Sequence, residues 1–238
     1  MKKIIVFLMM LLLLFSCSAC GEENQPNEPI DTETQQPQDD DIEPEESPDV
    51  PEKIVLDGTP VGWDDFPMPT SEAFGLTGED ATIYNAIAQV YNPKTYAETF
   101  SQSSKYVTDL SLPAFEIYEK VENETGDTTY YGVFYECDYY DLGSGLEDLS
   151  KPIYTLTQGK SPANLTIDAH GNFVSFEQTP ESSDDPDGDI ERVCGPMTEL
   201  ASFLCGNTES YSKEPQRVPN LNAEDMVIQY LNYYFRQS

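Results

Sequence analysis

The sequence has very little positive charge. Lys and Arg total 12 of 238 residues against 44 Asp and Glu, giving a formal net charge of −32. Such a chain cannot neutralise phosphates, which argues against nucleic-acid binding. It is also repelled by anionic lipid headgroups. Histidine occurs once, as His170, so histidine-rich zinc sites are excluded and a Cys₃His site is improbable. No Gly-rich phosphate loop, nucleophile elbow or zincin motif occurs. Long apolar runs are absent too. The longest, Ile4 to Phe15, has 12 residues, whereas a spanning helix needs about 20. The hydrophobic fraction is 38%, low for a globular chain, yet aromatics make up 11%, high for a disordered one. A mixture reconciles the two: a polar disordered stretch and an aromatic-rich folded domain.

The N-terminus carries an address. Lys2 and Lys3 precede the 12-residue apolar run, the n-region and h-region of an export signal. Small residues then meet cysteine twice, in Leu14-Phe15-Ser16-Cys17 and Cys17-Ser18-Ala19-Cys20. This pattern over residues 1–20 resembles the lipobox of bacterial lipoproteins. The resemblance implies a diacylated cysteine that becomes the new N-terminus, hence a cell-membrane lipoprotein on the extracytoplasmic face. Cys17 has the preferred Leu three residues before it; Cys20, with Ala before and Gly after, is the alternative. Two acyl chains anchor stably, at about 0.8 kcal/mol per buried CH₂.

Residues 21–53 hold 13 acidic residues, six Pro and one Lys. This segment has too little apolar surface to offset its chain entropy. Repelling charges and prolines predict an extended, disordered tether with a reach of roughly 100 Å. All 15 Tyr and the single Trp lie beyond it, which sets residues 54–238 apart as one folded domain.

Within that domain, residues 54–76 read as an irregular lead-in whose Trp63, Phe66 and Phe74 dock on the rest. Thr77-Gly78-Glu79-Asp80 starts a helix with acids in its first turn. Its apolar face is Ile83, Ile87, Val90 and Tyr91, and Asn92-Pro93 ends it. A second short helix is expected over Lys94 to Phe100. A strand through Phe115, Ile117 or Tyr118, and Val121 meets a second one, Thr128 to Tyr140, around the turn Glu124-Thr125-Gly126-Asp127. Ile153–Thr157 is a third strand. Asn164–Ile167 and Phe173–Gln178 flank the turn Asp168–Asn172 as another hairpin. Short helices are predicted over Asp189–Cys194 and Met197–Cys205. Asn222 caps a last helix whose face is Ala223, Val227, Tyr230, Leu231 and Tyr234. Strands that run together rather than alternating with helices predict an α+β class: a curved antiparallel sheet packed on one face by helices. The stretch Thr128 to Leu204 resembles the cystatin-like and nuclear-transport-factor-like modules of exported proteins. Asn164 to Arg192 is similar to the extracytoplasmic tail of antirepressor-type membrane peptidases. These resemblances imply a compact binding or sensing module and carry over no catalytic residue.

Several residues are candidates for chemistry. His170 is expected in an exposed turn. Cys194 and Cys205, near in sequence and both beside Gly, are the expected disulfide in an exported chain. Cys137 is left over, buried in a strand. A nucleophilic Cys137 would need His170 as its base. The acidic run Asp185–Asp189 misses the EF-hand pattern, since Gly188 falls fourth and Pro196 twelfth, so it reads as a solvated turn. Tyr130, Tyr131, Tyr139 and Tyr140 are candidate ligand contacts in an aromatic-lined groove, though alternation turns one of each pair inward. No catalytic or metal-ligating residues and no cofactor are expected. The sequence points to a non-catalytic module that binds a ligand or an envelope protein. The alternative is an envelope hydrolase with paired carboxylates in a sheet cleft.

Overall fold

Two Asx turns shape the sheet. In the first, Asn123 Oδ1 accepts from the amides of Thr125 and Asp127, both at 2.9 Å, and Gly126 supplies the positive φ of 87°. It joins β2 (Leu110–Glu122) to β3 (Thr128–Tyr140). A computed structural model of the chain describes residues 52–90 and 108–238, without the side chain of Trp63. The signal, Cys17, Cys20, most of the expected tether, Tyr91, Asn92-Pro93 and the expected helix over Lys94 to Phe100 lie outside the described residues.

β2 and β3 pair antiparallel from Leu110↔Tyr139 to Glu122↔Thr128, with an irregularity between Ile117 and Glu119. β4 (Thr155–Ile167) pairs with β3 along its whole length. The second turn follows, where Asp168 Oδ1 accepts from the amides of His170 and Asn172 at 2.8 Å. β5 (Phe173–Gln178) then pairs with Ala163–Ile167 of β4. β6 (Gln216–Val218) returns beside β2. The order is β5-β4-β3-β2-β6, a curved, fully antiparallel sheet in an α+β fold, as expected.

The third and fourth expected strands are one strand. Gly159 and Pro162 in its middle read as breaks in the sequence. Pro162 is tolerated because of its direction. Its carbonyl accepts from the Thr179 amide at 3.0 Å, on the side away from β3. In an antiparallel ladder the N–H and C=O of one residue point the same way. The missing N–H of Pro162 therefore falls on the outer edge, where the β3 ladder needs none.

The helices divide between the two faces of the sheet, a finer arrangement than the single covered face expected. Helix α1 (Gly78–Val90) lies on the Tyr130 side. Tyr130 Oη donates to Glu79 Oε1 at 2.7 Å, and Lys120 Nζ bonds the same carboxylate. The pair α2 (Pro186–Cys194) and α3 (Thr198–Leu204) lies on the Tyr131 side. There Asn164 Nδ2 donates to the Val193 carbonyl at 2.8 Å, and Cys194, Leu200 and Ala201 pack with Tyr118, Tyr131 and Tyr211. Neighbouring residues of a strand face opposite ways, so Tyr130 and Tyr131 separate the two layers. Helix α2 begins three residues earlier than expected, because Asp185 caps it by accepting from the Gly188 amide at 3.1 Å and Pro186 fits its first turn.

The apolar face of α1 is Ile83, Tyr84, Ala86, Ile87 and Ala88. Tyr84 is fully buried, whereas Val90, expected inside, is 40% exposed. Helix α4 (Ala223–Tyr234) buries all five expected residues, and Asn222 Oδ1 accepts from the Asp225 amide at 2.8 Å. The lead-in docks against it. Tyr234 Oη donates to the Met68 carbonyl at 3.0 Å, Tyr230 Oη to that of Pro67, and Phe66 lies 5.4 Å from Phe235. β1 (Ile54–Leu56) and β7 (Phe235–Gln237) close this end as a parallel pair.

Candidate functional site

Acids two apart on a strand share a face, and β3 carries such a pair in Glu136 and Asp138. The register sets their surroundings: Asp138 pairs with Ser111 on one side and Thr157 on the other, and Glu136 lies opposite Gly159. Ser111 Oγ donates to Asp138 Oδ1 at 2.6 Å, with the two residues 1% and 8% exposed. Glu136 is half-buried. Burial, then the charges of Asp138 and Glu181, push its carboxyl up to about 7, against an opposing hydrogen bond from Gln178. Among the described residues the charges acting on Glu136 are those of Asp138 and Glu181, both acidic. Near neutral pH this carboxyl exists in both protonation states beside a second carboxyl, so it can donate or accept a proton or attract a cation. The signal for it was present in the sequence as acids alternating with Cys137 in an aromatic strand.

Other polar clusters are closed on themselves. Glu116 accepts from Tyr118 Oη at 2.7 Å and Tyr135 Oη at 3.3 Å, while the Arg217 guanidinium stacks 4.4 Å from the Tyr135 ring centre. Glu119 accepts from Lys213 at 2.6 Å and from Tyr211. These contacts join β2 to β6 and to the segment before it.

The tyrosines do not form the expected groove. Tyr130 is a core residue bonded to Glu79, and Tyr139 is fully buried with its hydroxyl donating to the Ala223 carbonyl. Burial against α1 and α4 removes both from any ligand. Tyr131 is half-buried under α2 and α3, and Tyr140 is half-buried with its hydroxyl accepting from Thr157 at 3.3 Å. Two surface grooves lack tyrosine altogether. One of about 550 Å³ lies between α1 and the Gly171–Phe173 turn, and one of about 620 Å³ between α2 and α3.

The expected Cys194–Cys205 bridge is replaced by free thiols. Their environments differ. Cys194 is buried at the end of α2, and burial pushes its thiol up to about 11. Cys205 lines the groove between the helices, and burial, then the Asp187 carboxylate, push its thiol up. Cys137 is also a free thiol, fully buried, with Gln158 Nε2 at 3.6 Å, and burial raises it to about 11. Cys137 lies opposite Gln158, whereas His170 sits in the turn beyond the Thr128↔Ile167 end of the ladder, nine residues further along β3, so the nucleophile pairing does not form. His170 itself lies exposed in the β4–β5 turn, as expected. The aspartates of 185–189 serve α2: Asp185 caps it and Asp189 pairs with Arg192 at 3.1 Å. Among the described residues no three His, Cys, Asp or Glu side chains are placed to hold a metal ion. No protein-family model, curated protein or solved structure matches this chain.

Proposed function

We propose that the protein is an extracytoplasmic bacterial lipoprotein, anchored through Cys17 with Cys20 as the alternative. The acidic segment 21–53 holds the α+β domain away from the bilayer, and that domain binds a ligand or envelope partner without catalysis. The carrying observation is the short apolar run after Lys2 and Lys3 that ends directly on Ser16-Cys17. The binding reading draws support from polar clusters that stabilise the domain internally, together with an exposed sheet edge. The test is metabolic labelling with palmitate of the full chain, Cys17→Ala, Cys20→Ala and the double variant in a bacterial host. Label should vanish with Cys17→Ala. Retention there with loss in Cys20→Ala moves the anchor, and absence of label from every form ends the reading.

A second reading has one observation in its favour: Glu136 holds its proton to about pH 7 beside Asp138, as in acid–base hydrolases of glycans. Release of reducing ends from cell-wall glycan by the full chain, lost in Glu136→Gln, would establish it. No release by the wild type sets it aside.

A further inference from the structure

Among the described residues, the outer edge of β4 is unpaired over half its length. β5 covers only Ala163–Ile167 of β4, while Thr155 to Lys160 are all exposed. The direction of the Pro162 carbonyl fixes that of its neighbours. Alternate residues of an antiparallel strand point the same way, so Lys160, Gln158 and Leu156 turn N–H and C=O outward. Among the described residues none of these groups has a partner across the edge. The run Thr155-Leu156-Thr157-Gln158-Gly159-Lys160 is uninterrupted by Pro and carries one charge. An edge of this kind is a template for strand addition.

The neighbouring face selects the occupant. Gly159 presents no side chain, and Glu136 Oε2 lies 3.5 Å from where a β-carbon would stand. The Glu136 carboxylate therefore reaches over Gly159 toward the open edge. A strand added beside β4 places one side chain next to Gly159 on the Glu136 face, since directly opposed residues share a face. A cation there meets a carboxylate whose other charged neighbours, Asp138 and Glu181, are both acidic. A second copy of this chain is disfavoured, because pairing two β4 edges brings two such acidic faces together in a chain of net charge −32.

We propose that the β4 edge from Leu156 to Lys160 accepts an extended segment of a partner protein, and that a Lys or Arg of that segment seats over Gly159 against Glu136. The inference gives a place and a chemistry to the partner-binding reading above and rests on it. Main-chain hydrogen bonds supply affinity, and the Glu136 contact supplies specificity.

The test is selection of displayed random decapeptides on the full-length protein at pH 8. Each clone is then measured on Gln158→Pro, Glu136→Gln and Gly159→Val. Gln158→Pro removes an outward N–H that the β3 ladder does not use. Gly159→Val fills the seat over Glu136, in case the proline variant fails to fold. Selected clones should carry a basic residue among β-forming ones. They should weaken at least tenfold on Gln158→Pro and on Gly159→Val, and at least threefold on Glu136→Gln or at pH 5. Bound peptide should slow amide exchange at Leu156, Gln158 and Lys160. Clones that bind all variants equally overturn the edge site while leaving a binding module elsewhere intact. Edge-dependent clones without basic residues overturn the partner chemistry. Failure to select any clone, or a dimer in sedimentation that Gln158→Pro dissociates, overturns the proposal outright. The palmitate experiment decides anchoring independently of all these outcomes.

Discussion

Gly132 packs directly on the backbone of Glu116: a β-carbon at position 132 would stand 1.9 Å from the Glu116 carbonyl oxygen. The contact falls beside the irregularity between Ile117 and Glu119, where β2 shifts its register against β3. Backbone cannot yield as a flexible side chain does. Gly132→Ala should therefore separate the two central strands and cost about 2–3 kcal/mol or more. Urea unfolding monitored by circular dichroism measures it, and a loss below about 0.5 kcal/mol contradicts the close approach.

Among the described residues the buried Tyr84 hydroxyl has no hydrogen-bond partner. The ring, 4.9 Å from Phe74, contributes packing, while the hydroxyl contributes only a desolvation cost. Tyr84→Phe should leave the fold unchanged and raise stability by up to about 1 kcal/mol. A fall of the thermal midpoint would show that the hydroxyl has a stabilising contact.

Glu136 gives stability a pH dependence. In the folded chain it holds its proton up to about 7, against an ordinary value of 4.5. Between these values the folded state binds more proton than the unfolded state, so its contribution to stability falls as pH rises. The cost is absent below about pH 4.5 and complete above about 7. Glu136→Gln should be more stable than wild type at pH 8, by an order of magnitude of 1–2 kcal/mol, and equal to it at pH 4. Parallel melting curves at the two pH values check this; an unchanged difference between them contradicts the shift.

Asn222 accepts from the Asp225 amide at 2.8 Å and starts the helix whose tyrosines hold the lead-in. Asn222→Ala should cost about 1 kcal/mol. Hydrogen exchange should accelerate first at the start of α4, and uniform acceleration across the domain would argue against a local cap.

Leu165 is fully buried near the C-terminal end of β4, on the α1 side of the sheet. Leu165→Ala should destabilise by about 2–5 kcal/mol. Chemical denaturation gives the value, and a cost under 1 kcal/mol would mean that the layer between the sheet and α1 collapses around the gap.

Local chemistry made much of this architecture legible. The two Asx turns, the strand Thr128–Tyr140, the strand Phe173–Gln178 and the capped C-terminal helix all follow from signals within a few residues. Misreadings came where neighbours far along the chain decide. Gly159 and Pro162 look like strand breakers until the outer edge of the sheet receives them. Tyr84, three residues before Ile87, widens the expected apolar face of α1 and is buried because Phe74 of the lead-in packs on its ring. The three-residue strands β1, β6 and β7 are too short to show a period and exist through pairing alone.

The sequence by itself determined that a cation-poor chain carries a 12-residue apolar run after two lysines, then an acidic, proline-rich segment, and that an aromatic-rich region follows. It also determined the turns, the cap and the α+β class, because charge, composition and short-range hydrogen bonding are local properties. Only the tertiary structure decided which tyrosines are core, which face each helix covers, and that Glu136 reaches over Gly159 beside an unpaired edge. Those outcomes depend on register, and register brings together residues far apart along the chain, as Glu136 and Gly159 or Thr128 and Ile167.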